Sequence, residues 1–133
     1  MPARTTIQAY FDAFNRGDMA ALEDLLDEKV EHHVNQGPVR PGIEKFREFN
    51  AHMADRYREE LSELVIFSNE DGTRAAAEFL VTGTYLKTDE GLPEAKGQRY
   101  ELPAGSFFTL KDGRITRVTT YYNLQDWIRQ VSG

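Results

Sequence analysis

The sequence predicts an α+β fold, with helices set apart from a mostly antiparallel sheet. Three observations lead there. Apolar residues recur at helical spacing in the first half of the chain, and apolar and polar residues alternate through four long runs in the second half. Two Asp-Gly pairs, Asp71-Gly72 and Asp112-Gly113, join those runs as hairpins. A chain of 133 residues, 40% of them apolar, has the size of one domain, so residues 1–133 are read as a single unit able to bury a core and an internal pocket.

From Thr5 to Arg16, Ile7, Tyr10, Phe11 and Phe14 fall at i, i+3, i+4 and i+7, one face of an amphipathic helix that Gly17 ends. Asp18 suits the N-cap of a second short helix with Met19, Leu22, Leu25 and Leu26 as its buried stripe and Asp27 closing it. Lys29 to Asn35 alternates as a strand does, with Val30, His32 and Val34 on one face and Glu31, His33 and Asn35 on the other. Gln36-Gly37-Pro38 breaks that strand. Pro41 at a helix start introduces a third helix through Ile43, Phe46, Phe49, Met53 and Tyr57, running to Glu59. Four strands follow, Leu61 to Ser68, Thr73 to Leu86, Gln98 to Leu110 and Arg114 to Asn123, with a polar loop from Lys87 to Gly97 between the second and third. Pro103 lacks a ladder donor, so a bend is expected over Leu102 to Gly105. Leu124, Trp127, Ile128 and Val131 give a short final helix.

Composition narrows the chemistry. With 16 basic and 22 acidic residues the net charge is −6, and no basic stripe is present to hold nucleic acid. The lack of cysteine removes disulfides, thiolate metal ligands and a Cys nucleophile. No run approaches the roughly 20 apolar residues of a membrane span, and the first residues lack the apolar stretch of a signal peptide, so neither membrane nor nucleic acid is an expected partner and the expected location is cytoplasmic.

The element order, the string from Tyr10 to Asp18, and Asp112-Gly113-Arg114-Ile115 followed by Tyr121-Tyr122-Asn123 together resemble the nuclear transport factor 2-like superfamily. More narrowly, Val30 to Gly37, the Pro41-Gly42 helix and the stretch Leu102 to Phe108 resemble its SnoaL-like, ketosteroid isomerase-related and polyketide cyclase-like members. The resemblance covers nearly the whole chain. It implies a curved sheet wrapped around a long helix, forming a cone with an internal pocket, and a homodimer with sheets packed face to face. Tyr10, by its offset from Gly17-Asp18, matches the oxyanion-hole tyrosine of ketosteroid isomerase. The base position of that enzyme falls on or next to His32, and its protonated-acid position falls in Leu102 to Ser106, which contains no Asp or Glu.

His32 is the sharpest candidate. Its parity with Val30 and Val34 turns it inward, and an imidazole with an unperturbed pKa of about 6.5 serves as a general base or acid near neutrality, which predicts activity rising through about pH 6–7. His33, on the other face, is a candidate ligand contact. If the last strand presents Val118, Thr120 and Tyr122 to the concave face, the hydroxyls of Tyr10 and Tyr122 converge on His32. Asn35, Tyr57 and Phe107 complete the ligand-lining candidates. No metal is expected, because adjacent strand histidines cannot chelate together, His52 has no partner at i, i+4, and no Gly-x-Ser-x-Gly elbow or phosphate loop offers another chemistry. The charge runs Glu44 to Glu48 and Asp55 to Glu60 read as the solvated face of the long helix. Arg40, Arg56 and Arg58 are placed to hold a substrate carboxylate, although surface ion pairing accounts for most such arginines.

The expected function is that of a cofactor-independent isomerase, cyclase or related lyase acting on a small hydrophobic carbonyl compound. His32 would move a proton alpha to the carbonyl, and Tyr10 would donate a hydrogen bond to the developing enolate. The alternative is a non-catalytic small-ligand-binding or accessory domain using the same pocket.

Overall fold

Backbone pairing joins the strands into one curved, unclosed six-stranded sheet. A computed structural model describes residues 2–35 and 37–132. The elements are α1 Pro2–Arg16, α2 Met19–Glu23, β1 Leu26–Val34, β2 Arg40–Pro41, α3 Ile43–Arg56, β3 Tyr57–Ser68, β4 Arg74–Tyr85, β5 Arg99–Lys111, β6 Arg114–Tyr122 and α4 Leu124–Ser132. The strand order is β2-β1-β6-β5-β4-β3, antiparallel throughout except for the β1/β6 pair. This is the expected α+β architecture. Among the described residues, no helix is long and apolar enough to cross a membrane.

The sheet stays open at β3, and α1 covers that edge. The Asn15 side chain donates to the Leu61 carbonyl (2.8 Å) and accepts from the Leu61 N–H (2.9 Å), while Arg4 donates to the Ile66 carbonyl. Three backbone groups that an edge strand would leave in water are thereby paired. Ile7 and Phe11, on the predicted stripe of α1, are buried against the sheet with Phe79 and Phe108. Asp18 caps α2 as expected, accepting from Ala21 N–H.

Four boundaries differ from expectation, each because long-range pairing claims the backbone. The second helix stops at Glu23, since Leu25 accepts from Ile115 N–H and Leu26 pairs with β6. Pro41 belongs to β2 rather than to the helix, and Gly42 at φ 89° makes the turn into α3. That helix ends at Arg56, not Glu59, because the ladder to β4 already begins at Tyr57 opposite Tyr85. Pro103 makes no bend: β5 pairs with β4 without interruption from Arg99 to Thr109. Glu101, two residues earlier on the same side of the strand, sends its N–H to the Gln130 side chain of α4, and β6 pairing starts only at Ala104. The missing donor of Pro103 therefore faces a side where no ladder runs. Gln36, part of the predicted break after β1, lies outside the described residues; Gly37 donates to the Val34 carbonyl to close a turn there.

Candidate functional site

The concave face of the sheet, α1, α3 and the 87–97 loop enclose a cavity of about 780 Å³. Its walls are mainly apolar and aromatic, with polar groups gathered at two places. One lies where β1 meets β2 and α3, the other where β3, β5 and the loop meet.

At the first place, alternation along β1 turns His32 inward, as its parity with Val30 predicts; Val30 is wholly buried and His32 is 4% exposed. The imidazole lies between Phe46 and Phe49, with ring centroids 4.6 and 4.8 Å away. Its Nδ1 is buried and has no hydrogen-bond partner among the described residues. Burial first, then the charge of Arg40 and the neighbouring His33, lowers its pKa to about 4. The ring is therefore neutral at pH 7, but it titrates well below the pH 6–7 expected from an unperturbed imidazole. Arg40 stands opposite His32 in the β1/β2 register, and its guanidinium lies 4.9 Å above the Phe49 ring.

Tyr10 also lines the cavity. Its ring meets Phe11 and Phe108 edge-on at 5.4 Å, and burial alone pushes its pKa up, with no hydrogen bond contributing. Thr120 and Tyr122 face the same space from β6, as the concave-face expectation requires, while Ser106 and Thr120 share a 2.7 Å hydrogen bond. The hydroxyls of Tyr10 and Tyr122 do not hydrogen-bond His32.

The second place was not visible in the sequence. Glu59 projects inward from β3 and accepts from the Tyr100 hydroxyl, and burial raises its pKa. Tyr122, near Glu59 and Asp89, is raised by burial and by those two negative charges. Asp89 of the loop accepts from the Tyr57 hydroxyl and pairs with His52 Nε2, both at 2.8 Å, with Arg56 Nε 3.9 Å away. The loop is held further by Tyr85, whose hydroxyl donates to the Pro93 carbonyl and accepts from Asp89 N–H. Burial and Asp89 together push the Tyr57 phenol up.

Of the residues singled out by sequence, Tyr10, His32, Tyr57 and Tyr122 line the cavity, and His33, Asn35, Phe107 and Val118 do not. His33 points to the other face, 3.4 Å from Glu31. Asn35, at φ 52°, accepts from Tyr122 N–H and donates its own N–H to the Thr120 carbonyl, which closes the end of the β1/β6 ladder. Phe107 is 45% exposed on the outer face beside Tyr121, because β5 turns its even-numbered residues inward. Val118 has the right parity but is sealed in the core at 0% exposure. Glu59 was assigned to a solvated helix face; the overlooked signal is the alternation of Tyr57, Glu59 and Leu61, which a helical pattern running through Tyr57 obscures. Among the described residues no three His, Cys, Asp or Glu side chains gather closely enough to hold a metal ion.

Residues 7–118 match the family model of the SnoaL-like domain. A candidate polyketide cyclase from Silicibacter sp. is 62% identical, with 98% of this chain and 96% of that chain covered and a TM-score of 0.96. One from Xanthomonas campestris is 53% identical over 98% and 97% of the two chains, with a TM-score of 0.96. A third, from Pseudomonas putida, is also 53% identical, over 98% of each chain, with a TM-score of 0.97. No curated protein matches the chain.

Proposed function

This chain belongs to the SnoaL-like family, and from that premise we propose that it is a cofactor-independent isomerase or cyclase that moves a proton on a small, largely apolar carbonyl compound held inside the cone. One observation carries this proposal: a neutral imidazole and an unpartnered phenol, His32 and Tyr10, open onto the same apolar cavity. The Tyr10 hydroxyl donates to the substrate carbonyl oxygen, where negative charge develops. His32 takes the proton from the alpha carbon, so that a C–H bond breaks, an N–H bond forms and the electron pair moves onto oxygen as an enolate. Returning the proton at another carbon completes an isomerisation; attack of the enolate carbon on a second carbonyl completes a ring closure. The names of the three similar structures, all candidate polyketide cyclases, support a substrate with several carbonyl groups.

The test is alpha-proton exchange into D₂O over a panel of enolisable ketones. Wild-type protein is expected to exchange faster than His32→Ala and Tyr10→Phe by about 10²-fold or more. Exchange no faster than that of His32→Ala would end the enzymatic proposal and leave a ligand-binding domain.

The same proposal includes a second copy of the chain on the outer sheet face. Phe67, Ala76, Phe107 and Thr119 lie side by side across β3 to β6, with Phe67 and Phe107 55% and 45% exposed. Phenylalanine rings exposed on both strands that flank Ala76 favour a covering surface. Sedimentation should show a dimer that Phe107→Glu converts to monomer.

A further inference from the structure

The eleven arginines can be sorted by what their heads meet. Arg47 pairs with Glu23 and Glu44, Arg16 with Asp18 and Arg129 with Asp126. Arg4 and Arg114 donate to backbone carbonyls, Arg117 to Thr109 and Thr119. Arg58, Arg74 and Arg99 are exposed. Arg40 fits none of these groups: it lines the cavity, and its Nη1 is buried with no hydrogen-bond partner among the described residues. Arg56 Nε is similarly without a hydrogen bond, yet Asp55 takes another nitrogen of that side chain at 3.2 Å and Asp89 lies near.

A guanidinium nitrogen buried without an acceptor is costly, so Nη1 of the half-buried Arg40 calls for a partner, and the cavity it lines is where one can enter. The surroundings specify that partner. Phe49 lies 4.9 Å below the guanidinium carbon and occupies one face, which leaves the edge with its N–H groups for a planar acceptor. The other cation lining this end of the cavity, Lys45, is already paired with Glu48 at 3.7 Å. Arg40 thus places in a mainly apolar wall a positive charge that no carboxylate pairs among the described residues, in a protein whose net charge is −6. We propose that the ligand of this cavity carries a carboxylate, and that Arg40 holds it through two parallel N–H···O bonds beside His32. This assigns a substrate class to the site proposed above and rests on that cavity being the binding site.

The register explains why the placement matters. Arg40 and His32 are direct partners across an antiparallel pair, so their side chains leave the sheet on the same face as neighbours. Phe49 touches both, at 4.8 Å from the imidazole. A carboxylate seated on Arg40 therefore brings the adjoining carbons of the ligand alongside His32. It also neutralises one of the charges that suppress imidazole basicity, so binding of the acid makes His32 a stronger base, and protonation of His32 tightens binding of the acid by the same factor. From α3, Lys45, Glu48 and His52 are the other charged or titratable groups that line the cavity, the first two paired with each other and His52 with Asp89, while His33 adjoins His32 on the opposite face of β1 beside Glu31.

The experiment compares 2-naphthoate with 2-naphthamide by calorimetry on the full chain, in wild type, Arg40→Gln and Arg40→Lys. Wild type is expected to prefer the acid by about tenfold or more, the size of one charge-assisted contact. Arg40→Gln should still bind the amide, which reports an intact cavity, and lose the preference; Arg40→Lys should keep part of it. The His32 ring titration, followed by NMR, should move upward on saturation with 2-naphthoate in wild type and stay in place in Arg40→Gln. Equal binding of acid and amide by wild type, binding of neither, or a preference that survives Arg40→Gln overturns the proposal. A preference for the acid in a protein without alpha-proton exchange would retain the anion site and remove the catalytic role; exchange on neutral ketones without the preference would do the reverse.

Discussion

The Tyr100 hydroxyl reaches the Glu59 carboxylate by crossing over Gly83. The three residues are cross-strand neighbours on β3, β4 and β5, with Gly83 in the middle. A Cβ on Gly83 would stand 2.4 Å from both Cζ and the hydroxyl oxygen of Tyr100. The tyrosine cannot step aside, because it is 3% exposed and packs edge-on against Trp127 of α4. Glycine is required here for the close approach of a ring and not for its backbone freedom.

Gly83→Ala is accordingly expected to displace Tyr100, separate it from Glu59 and cost about 1–3 kcal/mol, the usual range for overpacking a filled core. Thermal unfolding measures the loss. An unchanged Tm would show that the ring is not held where it lies.

Glu59→Gln keeps the volume and removes the charge. Burial raises the folded-state pKa of Glu59 above its unfolded value, so its contribution to stability is fully present below the unfolded pKa and is lost as pH rises through the folded one. The variant should therefore gain on wild type as pH rises. Urea denaturation at acidic and at mildly alkaline pH reads this difference, and a gap that does not widen with pH would place Glu59 in contact with water.

His32 has the opposite sign. Its folded pKa is lowered from 6.5 to about 4, so the unfolded chain binds the extra proton between those values. Its contribution is present above pH 6.5 and is lost as pH falls toward 4, by at most about 3 kcal/mol. His32→Leu should flatten this acid limb in a denaturation series. If both proteins lose stability in parallel over that window, the imidazole is not buried in the neutral form.

The activity profile separates the two groups. With His32 as base, alpha-proton exchange on a neutral ketone rises with pH through about 4, since that is where the free protein's imidazole loses its proton. A rise at about pH 4 thus follows from the buried imidazole and needs no carboxylate base. A higher midpoint that disappears in Glu59→Gln would transfer the role of base to Glu59.

Much of the frame was legible locally. The α1 stripe, the Asp18 cap, both Asp-Gly turns and the inward parity of His32 follow from spacing alone, since side-chain direction along a helix or strand is set by its period. The ends of α2 and α3 and the course of β5 at Pro103 were not legible. Leu26, Tyr57 and Pro103 are placed by strands or helices distant in the chain, and pairing outweighs local propensity wherever the two conflict.

The same division runs through the site. The sequence by itself determined the α+β class, the element order, and which of two adjacent histidines turns inward, because alternation is a property of neighbouring residues. Only the tertiary structure decided that His32 is neutral, that Glu59 turns inward to Tyr100 and that Arg40 Nη1 has no hydrogen-bond partner among the described residues. Those properties arise from groups far apart in the chain, such as Glu59 and Tyr100, 41 residues from each other, and from how much water their packing excludes.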